Sequence, residues 1–185
     1  MNQLGLAIKV DKLEKTLGPN RALKGISTFF EPGTMHGLIG PEGAGKTTLF
    51  RHMIGLMTGD KGSVTYFGGN QIIDFNKIRS EIAYMPQQQS LYADLSIYEH
   101  LLFFKDLYRL SEDVFTQRSQ QLLEITRLDK FKDRPAGKLS GGMYKKLGLM
   151  CALLQSPNIL LLDEPTNGVD PISRREFWDL LYKLR

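Results

Sequence analysis

Nine residues from 40 to 48 combine glycines, one lysine and two threonines at a spacing suited to holding a triphosphate. In order they are Gly40, Pro41, Glu42, Gly43, Ala44, Gly45, Lys46, Thr47 and Thr48, which match the pattern G-x-x-x-x-G-K-[ST]. The glycines let backbone N–H groups approach an anion at the start of a helix, whose dipole favours negative charge. Lys46 supplies a cation for the outer phosphates, the Thr47 hydroxyl suits Mg²⁺, and Thr48 can add a phosphate contact.

Two carboxylates follow a second apolar segment. Residues 158–162 predict a buried strand, and this strand ends in Asp163-Glu164-Pro165. Ligands of open α/β sheets bind at the carboxyl ends of the strands. Asp163 suits the water shell of Mg²⁺, and Glu164 suits a base that polarises an attacking water. A strand that ends in an acidic turn is common, so this interpretation depends on Lys46, which lies 117 residues earlier.

The segment Leu139-Ser-Gly-Gly-Met143 predicts the start of a helix. Ser140 is a good N-cap, and a purely structural cap is the simplest interpretation of the segment. Gly141 and Gly142 lie in the first turn, where glycine weakens a helix. Two consecutive glycines there indicate that another group comes close, and an anion is the usual ligand of a helix N-terminus.

Strands and helices alternate around these motifs. Apolar patterns predict strands at residues 4–10, 26–31, 35–39 and 63–67, with a turn at 18–20. Met35 to Ile39 predicts a short buried strand that enters the glycine-rich loop, and Lys46 to about Leu56 predicts a helix. This alternation, with continuously apolar central strands, predicts an α/β fold with a mainly parallel sheet.

Residues 88–138 carry helical patterns and no convincing strand, which predicts a helical lobe inserted into the single domain 1–185. A capping box at Ser96 and Glu99 predicts the start of one helix, and a second helix is expected over 112–127. A third is expected over 141–155, and a fourth begins at Asp170-Pro171.

The bulk composition fits one globular domain, with 185 residues of which 42% are hydrophobic and 24% charged. No apolar run reaches the length of a membrane span. The net charge of +4 is modest and its cations are scattered, so no nucleic-acid surface is predicted. Cys151, the only cysteine, is expected to be an inert core thiol in a reducing compartment. His36, His52 and His100 lack metal-like spacing.

The order of these motifs resembles the nucleotide-binding domain of ABC transporters, over essentially the whole chain. Leu139–Met143 resembles the signature sequence of that family, Tyr84–Gln87 resembles its Q-loop, and Asn167–Asp170 resembles its D-loop. Segments at 91–97, 103–108 and 171–178 resemble bacterial export ATPases that work with membrane subunits of the ABC-2 class. The resemblance implies a P-loop NTPase core with an N-terminal antiparallel β part, and residues 88–138 as the helical subdomain.

The resemblance also implies cofactors and roles for individual residues. ATP and Mg²⁺ are the expected cofactors. Glu164, Gln87 and Lys46 would act in catalysis, and Thr47, Gln87 and Asp163 would hold the metal ion.

Partners are implied in the same way. Two such domains would pair head to tail, with Ser140, Gly141 and Gly142 touching the γ-phosphate held by the second domain. The pair would drive a transmembrane permease from the cytoplasmic face of the inner membrane. Aromatic residues within 90–108 are most simply core, or else some of them are exposed and form a groove that receives that permease. No nucleic-acid partner is expected.

The chain departs from the family pattern at three places. Leu17 lies 29 positions before Lys46, where the family usually stacks adenine on an aromatic residue, so we expect weaker nucleotide affinity or base selectivity. Met143 stands where the signature more often has glutamine, which we do not expect to inactivate the domain. The switch histidine and two further core strands of the family would lie beyond Arg185, so a truncated domain with weak hydrolysis is expected.

Three functions remain open from the sequence. The leading one is the ATP-hydrolysing motor domain of an exporter. A soluble ABC ATPase without a membrane partner, acting on ribosomes or in DNA repair, would usually carry linker insertions or basic extensions, and none is visible. A regulatory ATP binder without hydrolysis is disfavoured by the presence of Lys46, Asp163 and Glu164.

Overall fold

The computed structural model describes residues 5–88 and 91–183. The chain divides into two units, Met1–Ile82 and Ala83–Arg185. Each unit carries a different part of the predicted chemistry. Together they contain antiparallel strands, a parallel pair of strands and helices, which confirms the predicted α/β class.

A four-stranded antiparallel sheet dominates the first unit. Its strands are β1 (Leu6–Leu17), β2 (Asn20–Phe30), β3 (Lys61–Gly68) and β4 (Gln71–Ile73), in the order β2-β1-β3-β4. The first two strands are longer than the predicted segments and turn at residues 18 and 19, as the sequence indicated.

An irregularity in β1 keeps its apolar side chains on the buried face. Val10 and Leu13 are both 1% exposed, although an odd spacing would put them on opposite faces of a regular strand. The pairing register shifts between them, and Lys12 has a positive φ of 45°. Gly62 of the neighbouring strand lies against this bulge, where a Cβ would come within 2.3 Å of the Lys12 carbonyl oxygen.

Helix α1 (Lys46–Met53) follows the glycine-rich loop in the first unit. Its Leu49 and Met53 side chains are buried, and the Tyr66 hydroxyl donates to the Met53 carbonyl oxygen over 3.0 Å. A short helix, α2 (Phe75–Ile78), is capped by Asp74, whose side chain accepts from the Asn76 N–H. These contacts fix the end of α1 against β3.

The predicted buried strand at Met35–Ile39 is wrong. These residues form no strand, and Met35, Leu38 and Ile39 are 46%, 39% and 96% exposed. Their apolar character gives a tendency toward extended structure, but a strand also needs a hydrogen-bonded neighbour, and no described strand pairs with this segment. The loop from 40 to 48 is therefore positioned from its helical side.

In its described residues, the second unit contains a pair of parallel strands, four α-helices and two short 3-10 helices. The strands are β5 (Ile82–Met85) and β6 (Ile159–Leu162), and the helices are α3 (Ile97–Tyr108), α4 (Glu112–Thr126), α5 (Gly141–Leu153) and α6 (Pro171–Lys183). The predicted capping box is present, because Ser96 accepts from the Glu99 N–H and Glu99 accepts from the Ser96 N–H. All four helices begin within one residue of the predicted positions.

Two apolar clusters hold the second unit together. The larger one joins α3, α4 and α5 and includes Ile97, Leu101, Phe115, Leu147 and Leu154. The smaller one joins β5, α5 and α6 and includes Met85, Leu149 and Phe177. Helix α5 belongs to both clusters, so its position is fixed from two sides. Among the described helices, none is long and apolar enough to cross a bilayer.

Candidate functional site

The glycine-rich loop of the first unit adopts backbone conformations that favour glycine. Gly43 and Gly45 have φ angles of 76° and 92°, in the left-handed region. Gly45 is also the N-cap of α1, and a Cβ there would come within 2.5 Å of the Ala22 carbonyl oxygen in β2. Alternating left-handed residues at a helix start turn backbone N–H groups toward one point, which is the geometry of an anion site.

Lys46 folds across this loop. Its ammonium donates to the carbonyl oxygens of Gly40 and Pro41, over 2.9 and 3.0 Å. The Ala44 N–H donates to the same Pro41 oxygen over 3.2 Å, so this N–H serves the loop itself. The lysine therefore holds the loop closed, and its charge lies beside the backbone that the sequence assigns to phosphate binding.

Leu17 is the last residue of β1 and is 39% exposed, paired with Asn20 across the turn. Nearby, Asp60 accepts from the Thr16 N–H over 2.7 Å and from the Lys15 ammonium over 2.9 Å. These hydrogen bonds, led by the one from Lys15, hold the pKa of Asp60 below its ordinary value. The apolar side chain of Leu17 is thus partly exposed to solvent, at the end of β1 that the Lys15–Asp60 ion pair holds in place.

In the second unit, Asp163 follows directly after β6 and is 1% exposed. Its N–H donates to the Met85 carbonyl oxygen of β5 over 2.9 Å. Its Oδ2 atom accepts a hydrogen bond from the Tyr84 hydroxyl over 3.0 Å. A buried carboxylate is costly unless polar partners support it, and Tyr84 of β5 supplies one such partner, while the bond to Met85 fixes the Asp163 backbone.

Glu164 is hydrogen-bonded to Gln87, which is another predicted site residue, and to Asn167. The Gln87 side-chain amide donates to Glu164 Oε2 over 2.9 Å. The Asn167 side-chain amide donates to the same oxygen over 3.1 Å, and the Asn167 N–H donates to the Glu164 carbonyl oxygen over 3.0 Å. Two charge-assisted hydrogen bonds on one oxygen fix the orientation of the carboxylate.

The backbone at Glu164 is strained. Its φ angle is 47°, in the left-handed region that residues with a Cβ rarely adopt. Such conformations cost about 1–3 kcal/mol and persist where surrounding contacts impose them, often at functional sites. Here the two bonds to Asn167 supply such contacts.

The two glycines of the signature-like segment lie in the first turn of α5 and have different surroundings. Ser140 caps the helix, with its hydroxyl oxygen accepting from the Met143 N–H over 3.3 Å. A Cβ on Gly142 would come within 2.6 Å of the Cβ and Oγ atoms of Ser173 in α6. A Cβ on Gly141 would lie 3.7 Å from the Gly168 carbonyl oxygen, an ordinary contact. Helix packing therefore explains Gly142 without any ligand, whereas Gly141 has no such requirement.

Asp170 caps α6 as predicted. Its Oδ1 atom accepts from the N–H groups of Ser173 and Ile172, over 2.9 and 3.1 Å. These bonds, above all the one from Ser173, lower the pKa of the Asp170 carboxyl from its ordinary value. All three histidines have polar contacts among the described residues, and His36 Nε2 accepts from the Glu31 N–H over 3.2 Å. His52 Nδ1 contacts the Thr48 carbonyl oxygen, and buried His100 lies between the Tyr92 N–H and the Ser96 carbonyl oxygen.

Sequence reasoning missed three residues of this site: Tyr84, Lys145 and Asn167. Tyr84 and Asn167 stand inside segments that the resemblance had singled out, but no role was given to them. Lys145 Nζ donates to the Gln87 carbonyl oxygen over 2.8 Å. A signal was available for Tyr84 only, because neighbouring parallel strands end side by side and bring their last residues together.

The second unit therefore presents Asp163, a carboxylate of a type that suits a metal ion, next to Glu164, a carboxylate suited to activating water. The Gln87 amide contacts Glu164. The first unit presents a loop suited to phosphate. Gln87 is hydrogen-bonded to Glu164, which follows Asp163 in the chain, and Gly141 and Gly142 begin α5 directly after its cap Ser140.

Comparisons with known proteins identify relatives of this chain. The family model described as ABC transporter matches residues 23–167. The chain is 48% identical over 152 residues to a probable multidrug ABC transporter ATP-binding protein, YbhF, of Escherichia coli (strain K12). It is 35% identical over 178 residues to the Nod factor export ATP-binding protein I of Paraburkholderia xenovorans (strain LB400).

The relatives are longer than this chain. The first match covers 82% of the chain and 26% of the Escherichia coli protein, and the second covers 96% and 59%. Among solved structures, cbiO1 of Clostridium perfringens, part of the ABC transporter complex cbiONQ, matches with a TM-score of 0.82 at 29% identity. That match covers 100% of this chain and 74% of the other.

Proposed function

The chain belongs to the ABC transporter ATP-binding family, and we propose that it is the ATP-hydrolysing motor part of a bacterial exporter. Domains of this family bind ATP and are ATPases. The observation that carries the proposal is the hydrogen bond from Gln87 to Glu164, next to Asp163, because these residues supply the groups that hydrolysis needs.

ATP binding is assigned to the loop from 40 to 48. The left-handed glycines and the start of α1 support the binding of its phosphates, and Lys46 would exchange its carbonyl partners for phosphate oxygens. Leu17 would contact the adenine through apolar surface alone, so base selectivity would be weak. The exposed position of Leu17 supports this assignment.

Mg²⁺ fits the donor set of the proposed site. The hydroxyl of Thr47, the carboxylate of Asp163 and the amide oxygen of Gln87 are hard oxygen ligands of the kind that Mg²⁺ prefers. Asp163 is buried and its orientation is fixed by Tyr84, as metal-binding carboxylates commonly are. A bound Mg²⁺ would neutralise charge on the β- and γ-phosphates.

Hydrolysis follows from the arrangement at Glu164. Its carboxylate accepts a proton from the attacking water as the water oxygen bonds to the γ-phosphorus and the bond to the ADP oxygen breaks. The Gln87 amide nitrogen already donates to Glu164, so its amide oxygen is the atom that can orient the water or the metal ion. The proton then passes from Glu164 to the released phosphate.

Partners are proposed on the same premise. A second nucleotide-binding domain would pair head to tail with this one, and Ser140, Gly141 and Gly142 would contact its γ-phosphate. This pair of domains would drive a transmembrane permease from the cytoplasmic face of the inner membrane. Exposed Tyr92, Phe103 and Leu107 support an apolar docking face for it. The names of the two relatives, which refer to multidrug and Nod factor export, support export as the direction.

Three variants test the proposal. Lys46→Ala should lose ATP binding, because the ammonium is the cation of the phosphate loop. Glu164→Gln should keep ATP binding and lose hydrolysis by roughly 100-fold or more. Lys130→Ala, at an exposed position in a short helix, is the matched control and should behave as the wild type.

The measurements are binding of a fluorescent ATP analogue and hydrolysis with protein in excess over ATP, so that slow turnover is visible. Light scattering with ATP should detect a dimer that persists in Glu164→Gln and disappears as the wild type consumes ATP. Wild-type hydrolysis rates in Glu164→Gln would contradict the proposal.

A further inference from the structure

Helix α5 contacts the backbone at Gln87 and at Leu91. Lys145 Nζ donates to the Gln87 carbonyl oxygen over 2.8 Å. The neighbouring Tyr144 hydroxyl accepts a hydrogen bond from the Leu91 N–H over 3.1 Å. Both anchors lie in the second turn of the helix that Ser140 caps, so the start of α5 and the segment at Gln87 are mechanically joined.

The two consecutive lysines of α5 have different partners. Lys146 pairs with Glu176 of α6 at 2.8 Å, which is an ordinary ion pair between helices. Lys145 donates to a neutral backbone carbonyl, and burial lowers its pKa from the ordinary value. Within the described residues this ammonium has no carboxylate partner, and desolvating a charged group in that setting is unfavourable. Such an arrangement is expected where the position of the contacted group matters more than stability.

A second hydrogen bond links Gln87 to Glu164. The backbone of Gln87 is held by Lys145, and its side-chain amide donates to Glu164 Oε2 over 2.9 Å. Because one residue makes both bonds, moving its carbonyl by a fraction of an ångström would move the amide as well. Catalytic groups tolerate little displacement, and a misplacement of about 1 Å can cost two orders of magnitude in rate.

We propose that Lys145 is a positioning residue for hydrolysis: it ties α5 to the Gln87 backbone and thereby sets the Gln87 amide against Glu164. This inference rests on the proposed function, since it assigns Lys145 a role in the reaction of that site. A displacement of α5 is transmitted to Glu164 through two hydrogen bonds, so hydrolysis depends on the position of the helix that begins at Ser140.

The test is a double-mutant cycle on the 185-residue chain. Lys145→Met removes the ammonium, Lys145→Arg keeps a charged donor, and Gln87→Ala removes the amide. Lys145→Met should lower the single-turnover hydrolysis rate roughly ten-fold while the ATP concentration for half-saturation stays unchanged. Lys145→Arg should restore most of the rate. In the Gln87→Ala background, Lys145→Met should have no further effect, because its contribution passes through Gln87.

Tyr144→Phe is a second variant that keeps the ring packed, and it should lower the rate in the same way by roughly three-fold. It replaces Lys145→Met if thermal melting shows that Lys145→Met does not fold. Lys130→Met is the control for a lost charge. An equal loss of rate with and without Gln87, or rates equal to that of Lys130→Met, overturns the proposal for Lys145. Glu164→Gln in the same assay separates the two hypotheses, since undiminished hydrolysis there overturns the proposed function instead.

Discussion

Gln87 and Asn167 donate their side-chain amides to the same oxygen of Glu164, over 2.9 and 3.1 Å. The two residues are on different segments, one after β5 and one after β6. Glu164 is therefore oriented from both sides. This oriented carboxylate is the group that the proposed mechanism uses to take a proton from water.

Replacing Gln87 by Glu should be worse for hydrolysis than replacing it by Ala. Gln87→Glu puts a second carboxylate about one hydrogen-bond length from Glu164, and two carboxylates so close share a proton at neutral pH. Gln87→Ala only removes a donor. We expect the single-turnover rate at pH 7.5 to fall roughly ten-fold further in Gln87→Glu than in Gln87→Ala. Equal rates would show that the 2.9 Å contact does not matter during the reaction.

Tyr84→Phe should raise the Mg²⁺ concentration needed for hydrolysis. The Tyr84 hydroxyl donates to Asp163 Oδ2. Loss of such a partner of a metal-binding carboxylate typically lowers metal affinity by about 10- to 100-fold, and we expect a shift of about ten-fold here. A Mg²⁺ titration of ATP hydrolysis measures this shift. Exposed Tyr182→Phe is the control and should leave the Mg²⁺ dependence unchanged.

Gly142→Ala should destabilise the protein, and Gly141→Ala should not. The new Cβ at 142 meets Ser173 at 2.6 Å, whereas the one at 141 meets only an ordinary contact at 3.7 Å. Overpacking of this kind costs about 1–3 kcal/mol. Urea denaturation measures it, and Ser173→Gly should recover part of the loss in Gly142→Ala. A stability loss that Ser173→Gly leaves unchanged would place the conflict elsewhere.

Asp170 should stabilise the protein at neutral pH and not in acid. Its folded pKa is lowered, so its contribution is present above the ordinary aspartate value of about 3.9 and is lost as pH falls through the folded value. The melting temperature of Asp170→Ala should be lower than that of the wild type at pH 7, and the difference should shrink by pH 3. Asp179→Ala, exposed on the same helix, controls for the lost charge.

Cys151 should not react with thiol reagents while the protein is folded. It is 3% exposed, and burial raises its pKa to about 12, so thiolate is scarce at pH 8. Titration with a disulfide reagent should label one thiol in guanidinium chloride and none in native buffer within minutes. Rapid native labelling would mean that α5 opens locally.

Features with local causes were predicted well from the sequence. The starts of α3, α5 and α6 follow from the caps Ser96, Ser140 and Asp170, because each cap bonds to backbone two or three residues away. The strand predicted at 35–39 was wrong because strand formation depends on a neighbour that a local pattern does not contain.

In the candidate site, too, some features could be predicted from the sequence and others could not. The types and order of Lys46, Asp163 and Glu164 could be identified from spacing. The hydrogen bonds of Lys145 to Gln87 and of Tyr84 to Asp163 join residues 58 and 79 positions apart. Parallel pairing of two predicted strands could have placed Tyr84 near Asp163, whereas the contact of Lys145 depends on how α5 packs, which no periodicity in a single sequence specifies. The reason for Gly142 was also nonlocal, because Ser173 lies on another helix.

The close approach of α5 and α6 at Gly142 has a consequence for how sequences of this family vary. Because there is no room for a Cβ at 142 while Ser173 keeps its side chain, the sizes of the two residues are complementary. Homologues that carry alanine or serine at position 142 should carry glycine at position 173, or should show a wider separation of the two helices. Size covariation between these two positions would then record a helix spacing that selection preserves independently of nucleotide contact.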